Sequence, residues 1–149
     1  MFGDLQDLYQ EVIIDHNRSP RNYGEMHNAD RQAEGFNPLC GDKLTLFLKL
    51  NDNNIIESVS FIGEGCAIST ASASLLTEQI RGKTIEQAQH LFNAFHTLVT
   101  SDENDTSELG KLAVLAGVKA YPSRVKCATL AWHTLQAALN QTPELISTE

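Results

Sequence analysis

Apolar residues recur at helical spacing near the start of the chain. After Asp4, a candidate N-cap, they stand three or four positions apart at Leu5, Leu8, Tyr9, Val12 and Ile13. The pattern stops at Asn17-Arg18-Ser19-Pro20, so we predict an amphipathic helix that ends there. Residues 20–39 are polar, rich in Asn, Gly and Asp, and without a sustained period, which predicts a surface loop.

A strand-like alternation begins after this loop. Leucines occupy every second position at Leu44, Leu46, Leu48 and Leu50, which predicts a strand with one buried face. Residues 51–54 supply a turn, and a second strand follows. In that strand we predict one face formed by Ile55, Glu57, Val59 and Phe61, and the other by Ile56, Ser58, Ser60 and Ile62. Because such strands are antiparallel, the start of the first lies beside the end of the second.

Three further helices are indicated. Ser69 or Thr70 can cap a helix through residues 71–80, and Thr84 with Gln87 forms a capping box for the next helix. That next helix is predicted to be the main core helix, with apolar positions Ile85, Ala88, Leu91, Phe92, Phe95, Leu98 and Val99. The last helix begins at Tyr121-Pro122-Ser123 and carries the stripe Val125, Ala128, Trp132, Leu135 and Leu139.

An acidic loop at residues 101–106 precedes a short apolar pattern between the last two helices. Leu109, Leu112 and Leu115 form this pattern, and Gly117 is predicted to end it. We expect this part of the chain to be mobile.

Composition narrows the classes of function. The 149 residues carry a formal net charge of −8 without a block of Lys or Arg, which argues against nucleic acid and against an anionic membrane surface as partners. No apolar run approaches bilayer length and no secretion signal is recognisable, so we expect a cytoplasmic protein. Composition does not change along the chain, and residues 1–149 are predicted to form a single domain.

Three widely separated cysteines fit reactive or metal-bound thiols better than a disulfide framework. Cys40 and Asp42 stand two residues apart at the start of the first strand, so their side chains can point at one spot. The predicted hairpin brings Cys66, at the end of the second strand, near Cys40. Cys66 lies just ahead of a helix and Cys127 in the first turn of another, where partial positive charge favours a thiolate.

Several segments carry a resemblance to a known family. They are residues 8–16 with Ser19-Pro20-Arg21-Asn22, then Asn37-Pro38-Leu39-Cys40-Gly41-Asp42, Gly63-Glu64-Gly65-Cys66-Ala67-Ile68-Ser69, and residues 124–132. In these segments the chain resembles the iron–sulfur cluster assembly family of NifU N-terminal and IscU-like proteins, and in particular its SufU branch. The resemblance implies an α+β fold: a small antiparallel, three-stranded sheet with helices packed on one face and the metal site at one end. It also implies that the metal ligands are Cys40, Asp42, Cys66 and Cys127.

Two features separate the chain from the IscU branch. Lys126 precedes Cys127 where IscU-type scaffolds have a histidine, and Tyr121-Pro122-Ser123-Arg124 stands in place of their Leu-Pro-Pro-Val-Lys chaperone-recognition segment. Residues 109–119 resemble the insertion of SufU-type members. The resemblance therefore implies a zinc-bound sulfur acceptor for a SufS-like cysteine desulfurase. Downstream iron–sulfur assembly proteins or apo-proteins would receive the sulfur or the cluster.

Zinc suits this chemistry because it accepts thiolate and carboxylate ligands and keeps the thiols from forming disulfides. A sulfurtransferase also needs one thiolate that leaves the metal and attacks the outer sulfur of a persulfide. We predict Cys40, which lies on a loop, as this acceptor. Cys66, Cys127 and Asp42 would hold the metal. Arg124, within one helical turn of Cys127, is predicted to steer the partner or the persulfide.

Other functions remain open. The same four side chains could hold a transient [2Fe–2S] cluster, which would make the protein a scaffold that passes clusters to apo-proteins. A structural zinc in an interaction module is a second alternative, because closed four-ligand sites usually stabilise rather than react. A thiol-dependent hydrolase would need a histidine directed at a cysteine, and no Cys/His signature is present. His90 and His96 lie on the long helix and are predicted to be solvated or at the edge of the core.

Overall fold

The computed structural model describes residues 11–38, 41–101, 109–140 and 146–147. Residues 11–18 are helical and constitute the described part of α1. The elements that follow are β1 (Arg31–Asn37), β2 (Asp42–Leu50), β3 (Ile56–Glu64), α2 (Ala67–Ile80), α3 (Ile85–Thr100), a 3₁₀ helix (Gly110–Ala120), α4 (Pro122–Leu139) and β4 (Ile146–Ser147). Among the helices described, none has the combination of length and hydropathy that crossing a bilayer requires.

The sheet has the strand order β3-β2-β1-β4. β2 pairs antiparallel with both β1 and β3, which confirms the predicted hairpin and the three-stranded antiparallel sheet. β4 adds two residues at the edge, parallel to β1. α4 packs on β1 and β2, and α2 packs on β3 and on α4, so the helices form a layer over the sheet as expected.

β1 occupies part of the segment that the sequence predicts as a loop. Its residues include Ala33 and Gly35, and it lacks the β-branched side chains typical of strands. The reason is the close approach of α4, because a Cβ atom at Gly35 would overlap with Thr134 Oγ1 and press on Leu130. Packing against a helix therefore selects small residues here, and local propensity does not reveal the strand.

A β-bulge changes the faces predicted for β3. Lys49 pairs with Ser58 while Leu50 pairs with Ile56, so one residue of β3 has no partner across the ladder. Ile56 is fully buried in the core together with Val59 and Phe61. The prediction that placed Ile56 on the opposite face is therefore wrong, because the extra residue reverses the alternation.

α4 is the central helix of the core. Nearly every side chain from Cys127 to Leu139 is buried, and Trp132 stacks on Phe95 of α3 with ring centroids 5.0 Å apart. α3 packs mainly on α4 and on the 3₁₀ helix, so the prediction of α3 as the main core helix is wrong. Its capping box is confirmed.

The buried apolar residues form one cluster, and a single domain for residues 1–149 stays a prediction.

The 3₁₀ helix is part of the core. Four apolar residues stand three positions apart and are buried, namely Leu109, Leu112, Leu115 and Val118. A 3₁₀ helix has three residues per turn, so this spacing places all four on one face. The helix continues through Gly117 instead of ending there, and burial of its leucines does not fit the expected mobile segment.

Buried polar groups hold α1 against α2. His16 is 1% exposed, and its Nδ1 atom lies 2.7 Å from Ser74 Oγ in a hydrogen bond. The backbone N–H of Arg21 donates to the same oxygen at 2.8 Å. On the other side of the imidazole, Nε2 lies 3.5 Å from Glu78 Oε1. These contacts place α1 beside α2, where Ile13 and Ile14 border the cavity described next.

Candidate metal centre

Three of the four predicted ligands converge at one end of the sheet. The ligand atoms of Asp42, Cys66 and Cys127 all lie within 4.8 Å of one another. Asp42 is the first residue of β2, Cys66 follows β3, and Cys127 comes from α4. The hairpin brings the first two together because Lys43 pairs with Glu64 in the β2–β3 ladder. The fourth predicted ligand, Cys40, lies outside the described residues, and the role of all four as ligands stays a prediction.

Asp42 is a buried carboxylate, 0% exposed. Its Oδ1 atom accepts a hydrogen bond from the backbone N–H of Cys66 at 2.8 Å, and Oδ2 accepts one from Asn37 Nδ2 at 3.2 Å. Among the described residues, no ion pair includes Asp42. A buried charge without an opposite charge beside it is costly even when it is hydrogen-bonded, so a bound cation would compensate this carboxylate.

Cys66 is the N-cap residue of α2. Its Sγ atom accepts a hydrogen bond from the backbone N–H of Ser69 at 3.5 Å. The helix therefore begins at Ala67, earlier than the predicted caps at Ser69 or Thr70. A cysteine sulfur takes the place of a hydroxyl because it can accept from the same N–H group. Cys66 is partly exposed, so the sulfur lies at the positive end of the helix and within reach of solvent.

Cys127 is 2% exposed and lies in the second turn of α4, not in the first turn as predicted. Its S–H group donates to the carbonyl of Ser123 at 3.4 Å, and Sγ accepts from Asn37 Nδ2 at 3.5 Å. The charge of a helix terminus falls off within the first turn, so the dipole argument is weaker for Cys127 than for Cys66. The hydrogen bond from Asn37 is one local contact that stabilises the sulfur.

Asn37 is a site residue that the sequence reasoning missed. Its side chain is fully buried between Asp42 and Cys127, and it donates to both. The available signal was its position, since Asn37 opens the motif that ends at Asp42, and the two residues pair in the β1–β2 ladder. The sequence offered no other signal for Asn37, because the strand that it ends was predicted as a loop.

Two glycines make room for the carboxylate and for the strand end. A Cβ atom at Gly65 would lie 2.7 Å from Asp42 Oδ1 and 3.3 Å from Ser69 Cβ. Gly63 has a φ of +154°, and a Cβ atom there would overlap with the carbonyl oxygen of Lys43. Positions 63 and 65 therefore need glycine, because the chain passes close to β2 at both of them.

An open cavity of about 540 Å³ lies beside the two sulfurs. It is lined by Ile13, Ile14, Cys66, Ala67, Ile68, Ser123, Arg124 and Cys127. Arg124 is exposed in the first turn of α4, and its guanidinium carbon lies 5.7 Å from the centre of the Tyr121 ring. The cavity thus combines apolar walls with one cationic side chain close to both cysteines. The proposed steering role of Arg124 stays a prediction.

The donor set fits a zinc ion. Zinc binds thiolate sulfur at about 2.3 Å and carboxylate oxygen at about 2.0–2.2 Å, so tetrahedral donors stand roughly 3.5–4 Å apart. Three atoms within 4.8 Å of one another need little movement to reach this spacing. The two sulfurs also suit an iron–sulfur cluster, for which thiolates are the usual ligands. The geometry of the described donors is compatible with both occupants.

Histidines lie elsewhere in the described part of the chain. His96 and His133 form a cluster with Phe92 between α3 and α4, with the two imidazole centroids 5.9 Å apart. Burial, and secondarily the charge of His96, hold the pKa of His133 below its ordinary value. The group of His16, Ser74 and Glu78 resembles a hydrolase triad in its contacts, but Ser74 is 0% exposed and cannot meet a substrate.

The sequence matches proteins of a known family over most of its length. The NifU-like N-terminal domain matches residues 8–128. The chain is 44% identical over 135 residues to the zinc-dependent sulfurtransferase SufU of Bacillus subtilis (strain 168), which covers 90% of both chains. It is 39% identical over 138 residues to the iron–sulfur cluster assembly scaffold protein IscU of Streptococcus pyogenes serotype M1, covering 92% of this chain and 86% of that one.

A solved structure shares the fold. The crystal structure of an iron–sulfur cluster assembly scaffold protein for the SUF system, from Fervidobacterium islandicum AW-1, matches with a TM-score of 0.82 and 39% sequence identity. The match covers 87% of this chain and 94% of the other. The family match agrees with the sequence motifs and with the α+β architecture. It also agrees with the convergence of Asp42, Cys66 and Cys127. The chain belongs to the NifU-like N-terminal domain family.

Proposed function

We propose that this protein receives persulfide sulfur from a cysteine desulfurase at a zinc centre and passes it to downstream iron–sulfur assembly proteins or apo-proteins. The observation that carries the proposal is a buried carboxylate without an ion-pair partner among the described residues, beside two cysteine sulfurs at an open cavity. A relative with 44% identity is named a zinc-dependent sulfurtransferase, which supports the same chemistry. The cytoplasm suits this function because thiols there stay reduced.

Cys40, Asp42, Cys66 and Cys127 would hold the zinc. When bound, zinc keeps the coordinated thiols deprotonated and protects them from disulfide formation. Asp42 contributes a carboxylate that its hydrogen bonds from Asn37 and Cys66 already orient. Cys127 is buried and Cys66 caps α2, so both are held by the fold and serve to keep the site in place.

Cys40 is the proposed acceptor. Its thiolate attacks the outer sulfur of the persulfide carried by the desulfurase, and a new S–S bond forms. The bond between the two sulfurs of the donor breaks, and the desulfurase cysteine leaves as a thiolate. The transferred sulfur keeps its proton, so Cys40 ends as a persulfide and no external oxidant or reductant is required.

Arg124 is the proposed steering residue. Its guanidinium carries a permanent positive charge at the edge of the cavity that holds the two sulfurs. The attacking thiolate is anionic, and so is the thiolate that leaves the desulfurase. Attraction to Arg124 would hold these groups near the site during transfer.

A scaffold function is the second candidate. A relative with 39% identity is named an assembly scaffold, and the same donors could hold a [2Fe–2S] cluster. A structural zinc module is a third candidate, because four protein ligands make a closed site and closed sites usually stabilise rather than react. Partial exposure of Cys66 on a cavity favours a site that reacts.

Mapping of the transferred sulfur tests the proposal. The protein would be incubated with a cysteine desulfurase and cysteine, and each cysteine peptide examined by mass spectrometry. We expect one added sulfur on Cys40 in the unmodified protein and none in Cys40→Ala, with desulfurase binding retained. Arg124→Gln should transfer sulfur more slowly at unchanged zinc content, whereas Arg81→Gln, at the far end of α2, serves as its control. Normal sulfur uptake by Cys40→Ala with equal desulfurase binding would contradict the proposal.

A further inference from the structure

Asn37 connects three parts of the site. It is the last residue of β1, pairs with Asp42 of β2 in the ladder, and reaches Cys127 of α4. The side chain is 0% exposed, so its hydrogen bonds are made away from solvent. Hydrogen bonds to charged acceptors are stronger than neutral ones, and a low local dielectric strengthens them further.

The amide of Asn37 uses only its donor end. Nδ2 donates to Asp42 Oδ2 at 3.2 Å and to Cys127 Sγ at 3.5 Å. Oδ1 is buried and accepts no hydrogen bond from the described residues. An unsatisfied buried acceptor is destabilising, and the two contacts made by the donor end of the same amide offset that cost. If the amide were turned by 180°, Oδ1 would face the Asp42 carboxylate and the two oxygens would repel each other. The negative charge of the carboxylate therefore determines that Nδ2 faces it.

We propose that Asn37 is a positioning residue of the metal centre, which sets the carboxylate of Asp42 and the sulfur of Cys127 for coordination. The proposal rests on the proposed function, since it assumes that these two residues are ligands. Groups that hydrogen-bond to metal ligands orient them and tune their donor strength, and loss of such a group typically lowers metal affinity about 10–100-fold. Asn37 would act on a carboxylate and a thiolate at once through one amide group.

Replacement by an apolar side chain of similar size tests this role. Asn37→Leu removes both hydrogen bonds and keeps the volume filled. Thr134→Val is the matched control, because Thr134 is a fully buried polar residue of α4 whose hydroxyl donates to the carbonyl of Leu130, about two helical turns beyond Cys127. The readouts are zinc affinity, measured by competition with a chelator, and the absorption spectrum of the cobalt(II)-loaded protein. Both are compared at equal folded fraction, checked by circular dichroism.

We expect Asn37→Leu to bind zinc roughly 10–100-fold more weakly than the unmodified protein. We also expect its sulfur-to-cobalt charge-transfer band to move to lower energy, because a hydrogen bond stabilises the sulfur lone pair. Thr134→Val should change thermal stability without moving the band or the affinity. Unchanged affinity and an unmoved band in folded Asn37→Leu would overturn the role of Asn37.

Two further measurements keep the test decisive. Where Asn37→Leu fails to fold, Asn37→Ser, which is smaller and polar, is compared at the same readouts, and weaker zinc binding is again expected. Unmodified protein is loaded first with zinc and with cobalt(II). If it binds neither metal, the proposed function fails; if it binds both and the Asn37 variants bind equally well, only the positioning role fails.

Discussion

The carboxylate of Asp42 and the backbone N–H of Cys66 are joined by a hydrogen bond of 2.8 Å. This bond links the first residue of β2 to the N-cap of α2. The orientation of the Asp42 carboxylate therefore depends on the position of the Cys66 backbone. The carboxylate thereby lies at the positive end of a helix, where negative charge is stabilised. The strand pair and the helix start together hold a carboxylate in a fixed orientation at this end of the sheet.

Neutralising this carboxylate should separate its effect on the stability of the metal-free protein from its effect on zinc affinity. Asp42→Asn keeps the shape and an oxygen that can accept from Cys66, and it removes a buried charge. The new NH2 group replaces the oxygen that accepts from Asn37 Nδ2, so we expect the Asn37 amide to turn and accept from it through Oδ1. We expect the metal-free variant to be at least as stable as the unmodified protein, because burying a neutral amide costs less than burying a carboxylate. Its stabilisation by excess zinc should fall by about 1.4 kcal/mol for each tenfold loss of affinity.

Thermal unfolding with and without zinc measures both effects. Asp52→Asn, which changes an exposed acid in the β2–β3 turn, is the control and should alter neither quantity. A metal-free Asp42→Asn protein that is much less stable, with an undiminished gain from zinc, would show that Asp42 supports the fold and not the metal.

Adding one methyl group at Gly65 should disturb the centre without replacing any of the predicted ligands. The Cβ atom of Gly65→Ala would lie 2.7 Å from Asp42 Oδ1, closer than real contacts allow, so the carboxylate must move. We expect zinc affinity to fall by roughly tenfold or more, by analogy with the loss of groups that orient ligands. Chelator competition measures the change.

Gly117→Ala is the matched control for this substitution. A Cβ atom there meets nothing within 4 Å, so zinc affinity should stay the same. Equal zinc affinity in Gly65→Ala and Gly117→Ala would mean that the position of Asp42 does not matter for the metal.

The stability of the metal-free protein should depend on His133 at mildly acidic pH. Burial, followed by the charge of His96, lowers the pKa of His133 in the folded state. A lowered pKa means that the unfolded chain binds the proton more readily, so this stability is fully present above pH 6.5 and is lost as the pH falls towards the folded-state pKa. His133→Gln should flatten the pH dependence in that window.

Denaturant unfolding of chelator-treated protein between pH 7.5 and about pH 5 tests this expectation. Removing the metal first matters because metal binding itself releases protons. His27→Gln, a change at an exposed histidine, should leave the pH dependence as it is. An unchanged slope in His133→Gln would show that protonation of this imidazole is not linked to unfolding.

The approach of Asp42 to Cys66 could be predicted from the sequence because it follows from local rules. Alternating leucines and an Asn-rich turn specify a hairpin, and antiparallel pairing brings the two ends of that hairpin together. The prediction of a three-stranded sheet depended on the family resemblance. The placement of Cys127 near Cys66 also depended on it, because no local sequence pattern predicts how α4 packs on the sheet.

What could not be predicted depends on packing between distant elements. β1 was missed because α4 requires Gly35 to be small, and the buried Asn37 at its end was missed with it. The bulge in β3 reverses an alternation that looks regular in the sequence. The first turn of α2 was missed because a cysteine, not a hydroxyl residue, is its cap. Each feature is set by a contact far away along the chain or by an unusual residue in a familiar position.

The most direct test of the central claim is metal and sulfide analysis with an absorbance spectrum on protein purified without added metal. The measurement is made before and after incubation with a cysteine desulfurase, cysteine and iron. Zinc sulfurtransferase chemistry predicts about one tightly held zinc per chain, sulfur uptake, and no stable visible cluster bands. Iron and sulfide that appear together in place of zinc would contradict it and identify the protein as a cluster scaffold.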